Sequence, residues 1–313
     1  MPSIFSRRAL VGAALVLASG LPLLHAPAAL AAEPVKVGSK IDTEGSLLGN
    51  IILAVLDANG IATVNKISLG NTKIVRGAIT AGEIDIYPEY TGNGAFFFSV
   101  DTDPAWKNAK AGYEKVKELD YDANKIVWLT PAPADNTWVI AVRKDVADAN
   151  KLATLEDFAK WINGGGQFKI AASAEFVESP AALPAFQDAY GFKLNADQIV
   201  VLAGGDTTTF IKAAAEQTSG VNGSLAYGTD GALAALGLVA LADDKGVQPV
   251  YAPTPIIREA VLQAYPQIAD LLKPVFETLD APTLQGLNAK IAVDGLDPRQ
   301  VATDYLKSKG LLK

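Results

Sequence analysis

The segment at residues 82–94, with the sequence GEIDIYPEYTGNG, combines side chains that are well suited to binding a small polar molecule. Tyrosine offers a π-face to a cation and a hydroxyl to an anion, and glycine lets the backbone approach a ligand closely. Ile84 and Ile86 predict a short buried strand that leads into this turn. The segment therefore has the chemistry of a binding site, but it holds no obvious catalytic pair.

Four aromatic residues stand at predicted strand ends or chain crossings, near Gly, Pro or Asn: Tyr90, Trp138, Tyr227 and Tyr251. In open α/β folds, ligands bind at the carboxyl ends of strands. Position alone leaves open whether each of these rings lines a cleft or belongs to the core. If the four converge, they would form an aromatic cage for a quaternary ammonium group.

The N-terminus has the pattern of a secretory signal peptide at residues 1–31. Arg7 and Arg8 precede an apolar run at 9–24, and the small-residue site Ala29-Leu30-Ala31 follows. A membrane anchor is the alternative, but glycines and a proline interrupt the run and no stop-transfer pattern follows. We therefore expect cleavage and release into the periplasm, while the choice between general and twin-arginine export stays open.

The amino-acid composition excludes several classes of protein function. The formal charge of the whole chain is −7 at pH 7, and the leader removes two arginines, so we expect no binding to nucleic acid or to an anionic membrane. The chain has no Cys, and its one histidine, His25, lies in the leader. Imidazole and thiolate metal sites and Ser-His-Asp triads are therefore excluded from the mature protein.

Carboxylate chemistry is the remaining route to an enzyme. Glu83, Asp85 and Glu89 could include an acid/base pair, and a hydrolase that uses them is an alternative reading. Glu83 and Asp85 share one face of the predicted strand, however, and nothing in the sequence supplies a nucleophile or a metal. We predict no catalytic residue, no metal and no cofactor.

Strand and helix patterns alternate along the chain and predict an α/β fold with mainly parallel sheets. Two proline-rich stretches, at 131–134 and 249–255, interrupt the alternation as stiff, extended crossings would. We therefore predict two α/β lobes, residues 34–135 with 250–313 and residues 136–249. Two lobes joined by two hinge crossings enclose a ligand cleft that closes by hinge motion.

A resemblance to a known family extends over essentially the whole mature chain. Glu44 and a series of short motifs carry it: GSK at 38–40, LGNTKIVR at 69–76, DIYPEYTG at 85–92, DNTW at 135–138, EF at 175–176, AYGF at 189–192, YGTDG at 227–231 and PVY at 249–251. The chain resembles the glycine betaine/choline-binding components of ABC importers, an OpuAC-like family. The details KIDTEG at 40–45, NGAFFF at 93–98 and TPAPA at 130–134 are similar to its Yeh-type, stress-associated osmoprotectant-binding branch.

The resemblance implies a type II periplasmic binding protein with its ligand between the lobes. By motif, Tyr90, Trp138, Tyr227 and Tyr251 would box the trimethylammonium group. The polar residues implied at the site are Lys40, Asn93 and Ser179, which would face a carboxylate, and Asn136, which would touch the ligand or the hinge. The implied partners are an ABC permease and its ATPase in the inner membrane, and we expect a monomer.

Three positions depart from the family pattern. Trp138 replaces a tyrosine, Asn93 a small hydroxyl residue, and Ser179 an arginine that commonly follows the Glu-Phe pair. An arginine fork binds a carboxylate through two charge-assisted hydrogen bonds, whereas serine offers one neutral donor. We therefore expect weak betaine binding, with a different small polar ligand or a stress-sensing role as alternatives, unless Ser179 lies outside the cleft.

Overall fold

A computed structural model describes residues 33–202 and 207–312. The predicted signal peptide at 1–31 lies outside the described residues. Within those ranges, no helix combines the length and the apolar character that crossing a bilayer requires.

The described residues contain ten strands. These are β1 (Val35–Lys40), β2 (Thr63–Gly70), β3 (Ile86–Tyr90), β4 (Ile126–Trp128), β5 (Trp138–Arg143), β6 (Ile170–Ala172), β7 (Ile199–Val201), β8 (Gly223–Tyr227), β9 (Leu238–Ala240) and β10 (Pro253–Arg258).

Fourteen α-helices lie in the same part of the chain. These are α1 (Thr43–Ala58), α2 (Thr72–Thr80), α3 (Gly94–Phe97), α4 (Ala109–Asn124), α5 (Lys144–Asn150), α6 (Leu155–Asn163), α7 (Ala174–Glu178), α8 (Leu183–Tyr190), α9 (Thr207–Ala215), α10 (Gly231–Ala235), α11 (Glu259–Ala264), α12 (Gln267–Phe276), α13 (Ala281–Ala292) and α14 (Pro298–Ser308).

The strands form two mixed sheets. The first has the order β2-β1-β3-β10-β4, in which β1 pairs in parallel with β2 and β3 while β10 runs antiparallel to β3 and β4. The second has the order β7-β6-β8-β5-β9, with β6 parallel to both neighbours and β5 antiparallel to both. Both sheets contain parallel and antiparallel pairs, so the prediction of mainly parallel sheets was wrong. The chain leaves the first sheet after β4 and returns to it at β10.

Helix α1 shows how the sequence sets this architecture. Its N-cap, Asp42, accepts a hydrogen bond of 2.7 Å from the Gly45 amide, which satisfies one of the free donors of the first turn. Leu47, Leu48 and Ile51 recur at helical spacing and are fully buried against the first sheet. The cap fixes where the helix begins, and so it places Glu44 in the first turn beside the end of β1.

The apolar side chains of the described residues gather into three clusters. One lies wholly within residues 140–241 and packs around the second sheet. The other two lie against the first sheet: one joins β1 and α1 to the C-terminal helices, and one surrounds Trp106 and Trp128. Each sheet therefore has hydrophobic packing of its own.

Strand β3 begins later than the sequence pattern predicts. Ile84 is buried but lies before the strand, because Asp85 exchanges two hydrogen bonds with the Lys36 backbone, of 2.8 and 2.9 Å, just before the ladder starts. The strand then continues through Tyr90. Pro88 and Glu89 are therefore strand residues, and the aromatic motif runs through the centre of the first sheet.

The second proline-rich crossing is shorter than predicted. Pro253 and Pro255 belong to β10, although proline is rare inside a sheet because it cannot donate to the ladder. Pro255 lies opposite Pro88 of β3, so two residues without an N–H share one pair. Its carbonyl still accepts a hydrogen bond from Leu129 at 2.9 Å. The free crossing therefore ends at Ala252.

Candidate ligand-binding site

A cavity of about 820 Å³ lies between residues of the first and second sheets. Its size suits a small organic molecule. Its lining includes every residue that the sequence placed at the site: Lys40, Tyr90, Asn93, Asn136, Trp138, Ser179, Tyr227 and Tyr251. The fold thus brings together residues that are more than two hundred positions apart in the chain.

Trp138 and Tyr227 form one wall of the cavity. They lie directly opposite each other on the antiparallel strands β5 and β8. The Trp138 ring packs edge-on against Phe176, with centroids 5.9 Å apart. Burial raises the pKa of Tyr227, and a hydrogen bond with the Trp138 side chain partly opposes that shift. The two aromatic side chains are therefore held as one unit.

Tyr251 is positioned by the two crossings between the sheets. Its amide donates to Asp135 Oδ1 at 2.8 Å, and its carbonyl accepts from the Asn136 amide at 3.0 Å. Its ring packs on Gly92, where an added Cβ would approach the ring carbons to 2.8 Å. A side chain at residue 92 would push the ring aside, so glycine is required there for the observed wall.

Tyr90 ends β3 and is almost fully buried. Its hydroxyl donates to Glu44 Oε1 at 2.8 Å. The Lys40 ammonium lies 4.4 Å from the centroid of its ring. One face of Tyr90 thus already contacts a cation belonging to the protein, which distinguishes it from the other three rings.

Lys40 and Asn93 line the cavity and both donate to Glu89. The Lys40 Nζ and Asn93 Nδ2 atoms lie 2.5 and 2.7 Å from Glu89 Oε1. The Tyr90 amide donates to the same oxygen at 2.7 Å, and the Tyr87 hydroxyl donates to Oε2 at 2.8 Å. Glu89 is fully buried, so this buried carboxylate is satisfied by four donors.

Ser179 lies in the cavity wall rather than outside the cleft. It follows α7 as its C-cap, and its backbone is held by hydrogen bonds to Glu175 and Ala182 of 2.9 and 3.0 Å. The side chain is half-buried. Ser179 is therefore within reach of a molecule in the cavity.

Glu44 is a lining residue that the sequence analysis did not assign to the site. Its carboxylate accepts hydrogen bonds from Tyr90, Asn136 and Asn288 at 2.8, 3.2 and 2.8 Å, and Thr229 is a further side-chain partner. Burial raises its pKa to about 7, although the hydrogen bonds oppose the shift. The sequence signal that could have identified it is its position close after Lys40, in the first turn of α1. Its hydrogen-bond partners, however, lie far away in the chain.

We expect Glu44→Gln to change how stability depends on pH. The folded-state pKa is about 7 against 4.5 for the ordinary group, so the folded protein holds an extra proton between these values and loses stability as pH rises. The shift corresponds to about 3 kcal/mol. Urea unfolding at pH 5 and pH 8 should therefore show a clearly smaller difference for Glu44→Gln than for the wild type.

Asp135 provides the control for this measurement. Burial also raises its pKa, to about 6, so Asp135→Asn should remove a separate and smaller part of the pH dependence. If the stability of the wild type and of Glu44→Gln depended on pH to the same extent, that result would contradict the raised pKa of Glu44.

The carboxylates considered for hydrolysis do not form a site together. Glu89 is bound to Lys40, Asp85 pairs with Arg258 at 2.9 Å, and neither they nor Glu83 line the cavity. Among the described residues, no group of three or more His, Cys, Asp or Glu side chains is placed to hold a metal ion. What the cavity combines is aromatic faces, amides, hydroxyls and carboxylates, which is chemistry for binding.

Two mixed α/β sheets with a cavity between them define the fold of a type II periplasmic binding protein. The chain belongs to the OpuAC family, the substrate-binding domain of ABC-type glycine betaine transport systems, whose pattern matches residues 33–308. The expected family and fold class are thereby confirmed, and the family is one of binding domains rather than enzymes.

Individual relatives agree with this assignment. The chain is 67% identical over 283 residues to the glycine betaine-binding protein YehZ of Escherichia coli K12, covering 90% of this chain and 93% of that protein. It is 31% identical over 287 residues to the glycine-betaine-binding protein of Pseudomonas aeruginosa PAO1, covering 90% and 89%. The structure of apo YehZ superposes with a TM-score of 0.86 at 67% identity, covering 90% of this chain and all of that one.

Proposed function

We propose that this protein is the solute-binding component of an ABC importer and binds a quaternary-ammonium osmolyte of the glycine betaine and choline type. The observation that carries the proposal is the convergence of four aromatic side chains on one cavity. Aromatic faces attract a quaternary ammonium ion through their quadrupoles, and the interaction strengthens where water is excluded. The names of its relatives support the same ligand class.

In this proposal the cavity has an aromatic end and a polar end. Tyr90, Trp138, Tyr227 and Tyr251 contact the trimethylammonium group. The rest of the ligand lies toward the polar side chains in the lining, namely Lys40, Asn93, Asn136 and Ser179.

Residues 34–135 with 250–313 and residues 136–249 act as two lobes that close on the ligand. Separate hydrophobic packing around each sheet supports this division, as do the two connections near residues 135 and 250. Closure would bring the aromatic residues of the two lobes together around the ligand.

The protein would work as a monomer in the periplasm after removal of residues 1–31. It would deliver its ligand to a permease and ATPase of the inner membrane. The signal-peptide pattern and the membership in an ABC-transport family support this setting.

A thermal-shift titration of the mature protein tests the proposed function. Because a ligand that binds the folded state alone raises the melting temperature, choline or glycine betaine should raise it progressively with concentration. The neutral dimethylbutanol analogue of choline, in which carbon replaces the quaternary nitrogen, should have a much smaller effect at equal concentration. The proposal fails if neither ammonium compound shifts the transition, or if the neutral analogue acts equally.

A further inference from the structure

The charges in the cavity wall are unbalanced. Four lining residues of the described chain carry carboxyl groups: Asp42, Glu44, Glu175 and Asp230. Glu44, whose pKa burial raises to about 7, is only partly ionised at neutral pH, which leaves three carboxylates with their full charge. Lys40 is the one basic residue in the same lining. Such a wall favours a positively charged ligand over one that also carries a negative charge.

Lys40 is also already engaged. Its ammonium lies 2.5 Å from Glu89 Oε1, and the two side chains are 7% and 0% exposed. Asn93 donates to the same oxygen. Two of the three residues that the family resemblance directs toward a ligand carboxylate, Lys40 and Asn93, therefore bind a carboxylate of the protein. A ligand carboxylate entering here would have to compete with Glu89 for them.

Two amides in the lining point to the same preference. Glu44 accepts from Nδ2 of both Asn136 and Asn288, which turns their oxygens away from it. Within the described part of the chain, neither of these buried oxygens has a hydrogen-bond donor. A carboxylate would add another acceptor beside them, whereas a hydroxyl group could supply a donor.

On these grounds, and resting on the proposed function, we infer that the cavity selects an organic cation over the corresponding zwitterion. A quaternary ammonium ion without a carboxylate then binds more tightly than glycine betaine. The carboxylate of betaine would give up its hydration without gaining an uncommitted cationic partner. Neutral donors such as Ser179 can also donate to a hydroxyl or an ester oxygen, although more weakly than to a carboxylate, and they add no positive charge to the wall.

Calorimetric titration with glycine betaine and its methyl ester isolates the effect of charge. The two compounds share the trimethylammonium group, and the ester caps the carboxylate. We expect the ester to bind the wild-type protein about tenfold more tightly or better, in line with the strength of a charge-assisted hydrogen bond. Choline, which also brings a hydroxyl donor, should bind at least as tightly as the ester.

Two substitutions should shift the ratio toward betaine. Glu89→Gln releases Lys40 from its counter-charge, and Ser179→Arg adds a cationic fork to the wall. Each should tighten betaine relative to the ester by about tenfold. Glu114→Gln is the matched control, because it makes the same chemical change at a side chain that is 58% exposed on α4. Ser179→Arg keeps the test decisive if the buried Glu89 variant does not fold.

The outcomes separate the two proposals. Betaine binding as tightly as its ester to the wild type, or an unchanged ratio in a folded Ser179→Arg variant, overturns the inference and leaves the proposed function standing. If none of betaine, ester and choline binds the folded wild type, the proposed function fails and the inference fails with it. A tighter ester in the wild type, with the ratio shifted in Ser179→Arg and unchanged in Glu114→Gln, supports both.

Discussion

Replacing Trp138 or Tyr251 by alanine is expected to raise the dissociation constant for a quaternary ammonium ligand by about 30-fold. The expectation combines a cation–π contact with the lost apolar contact of the ring, together about 2 kcal/mol. Each ring packs against an uncharged neighbour: Trp138 against Phe176, and Tyr251 against Gly92. Isothermal titration calorimetry with choline measures the effect directly.

Trp138→Phe and Tyr251→Phe are the matched controls. Phenylalanine keeps an aromatic face while removing the indole or the hydroxyl, so most of the affinity should remain. Circular dichroism and urea unfolding establish that each alanine variant is folded before binding is compared. Unchanged affinity in both folded alanine variants would contradict the proposal that an aromatic cage binds the ammonium group.

Gly231→Ala is expected to destabilise the protein by about 3 kcal/mol, at the upper end of the range for overpacking. A Cβ at residue 231 would lie 2.2 Å from the Ala289 nitrogen and 2.4 Å from the Asn288 carbonyl carbon. Both are backbone atoms of α13, so no side-chain rotation relieves the clash. The short helix α10 and the C-terminal helix α13 would have to separate.

Gly286→Ala provides a control within the same helix α13. Nothing lies within 4 Å of a Cβ at residue 286. Alanine has a higher helix propensity than glycine at an exposed position inside a helix. This change should therefore stabilise the protein by about 0.5–1 kcal/mol. Urea unfolding of the two variants should therefore shift in opposite directions. Similar stability of Gly231→Ala and the wild type would show that α13 does not pack this closely on α10.

The sequence was informative about the site where side-chain type and strand position agree. Tyr90 and Tyr227 end strands, and Trp138 begins one at the edge that faces the cavity. Their positions at strand ends therefore predicted that these rings share a site. The alternation of elements likewise predicted most strands and helices. Capping residues such as Asp42 and Asn71 fix helix starts through local hydrogen bonds, which depend on near neighbours in the chain.

Long-range partners could not be predicted in the same way. Glu44 contacts Asn288, which lies 244 positions further along the chain, and nothing local in either sequence context specifies that contact. The pairing of Lys40 with Glu89 depends equally on the register between β1 and β3. The prolines of β10 predict a break in the strand pattern, because proline cannot donate to a sheet ladder, whereas the pairing of Pro255 with Pro88 accommodates both in the sheet.

A crystal structure of the mature protein with bound choline tests the central claim most directly. The account predicts the trimethylammonium group in van der Waals contact with the rings of Trp138, Tyr227 and Tyr251, beside the face of Tyr90 that Lys40 leaves open. The hydroxyl end should lie toward Asn136 and the other polar lining residues. Choline bound outside this cavity, or with its ammonium group away from all four rings, would contradict the account.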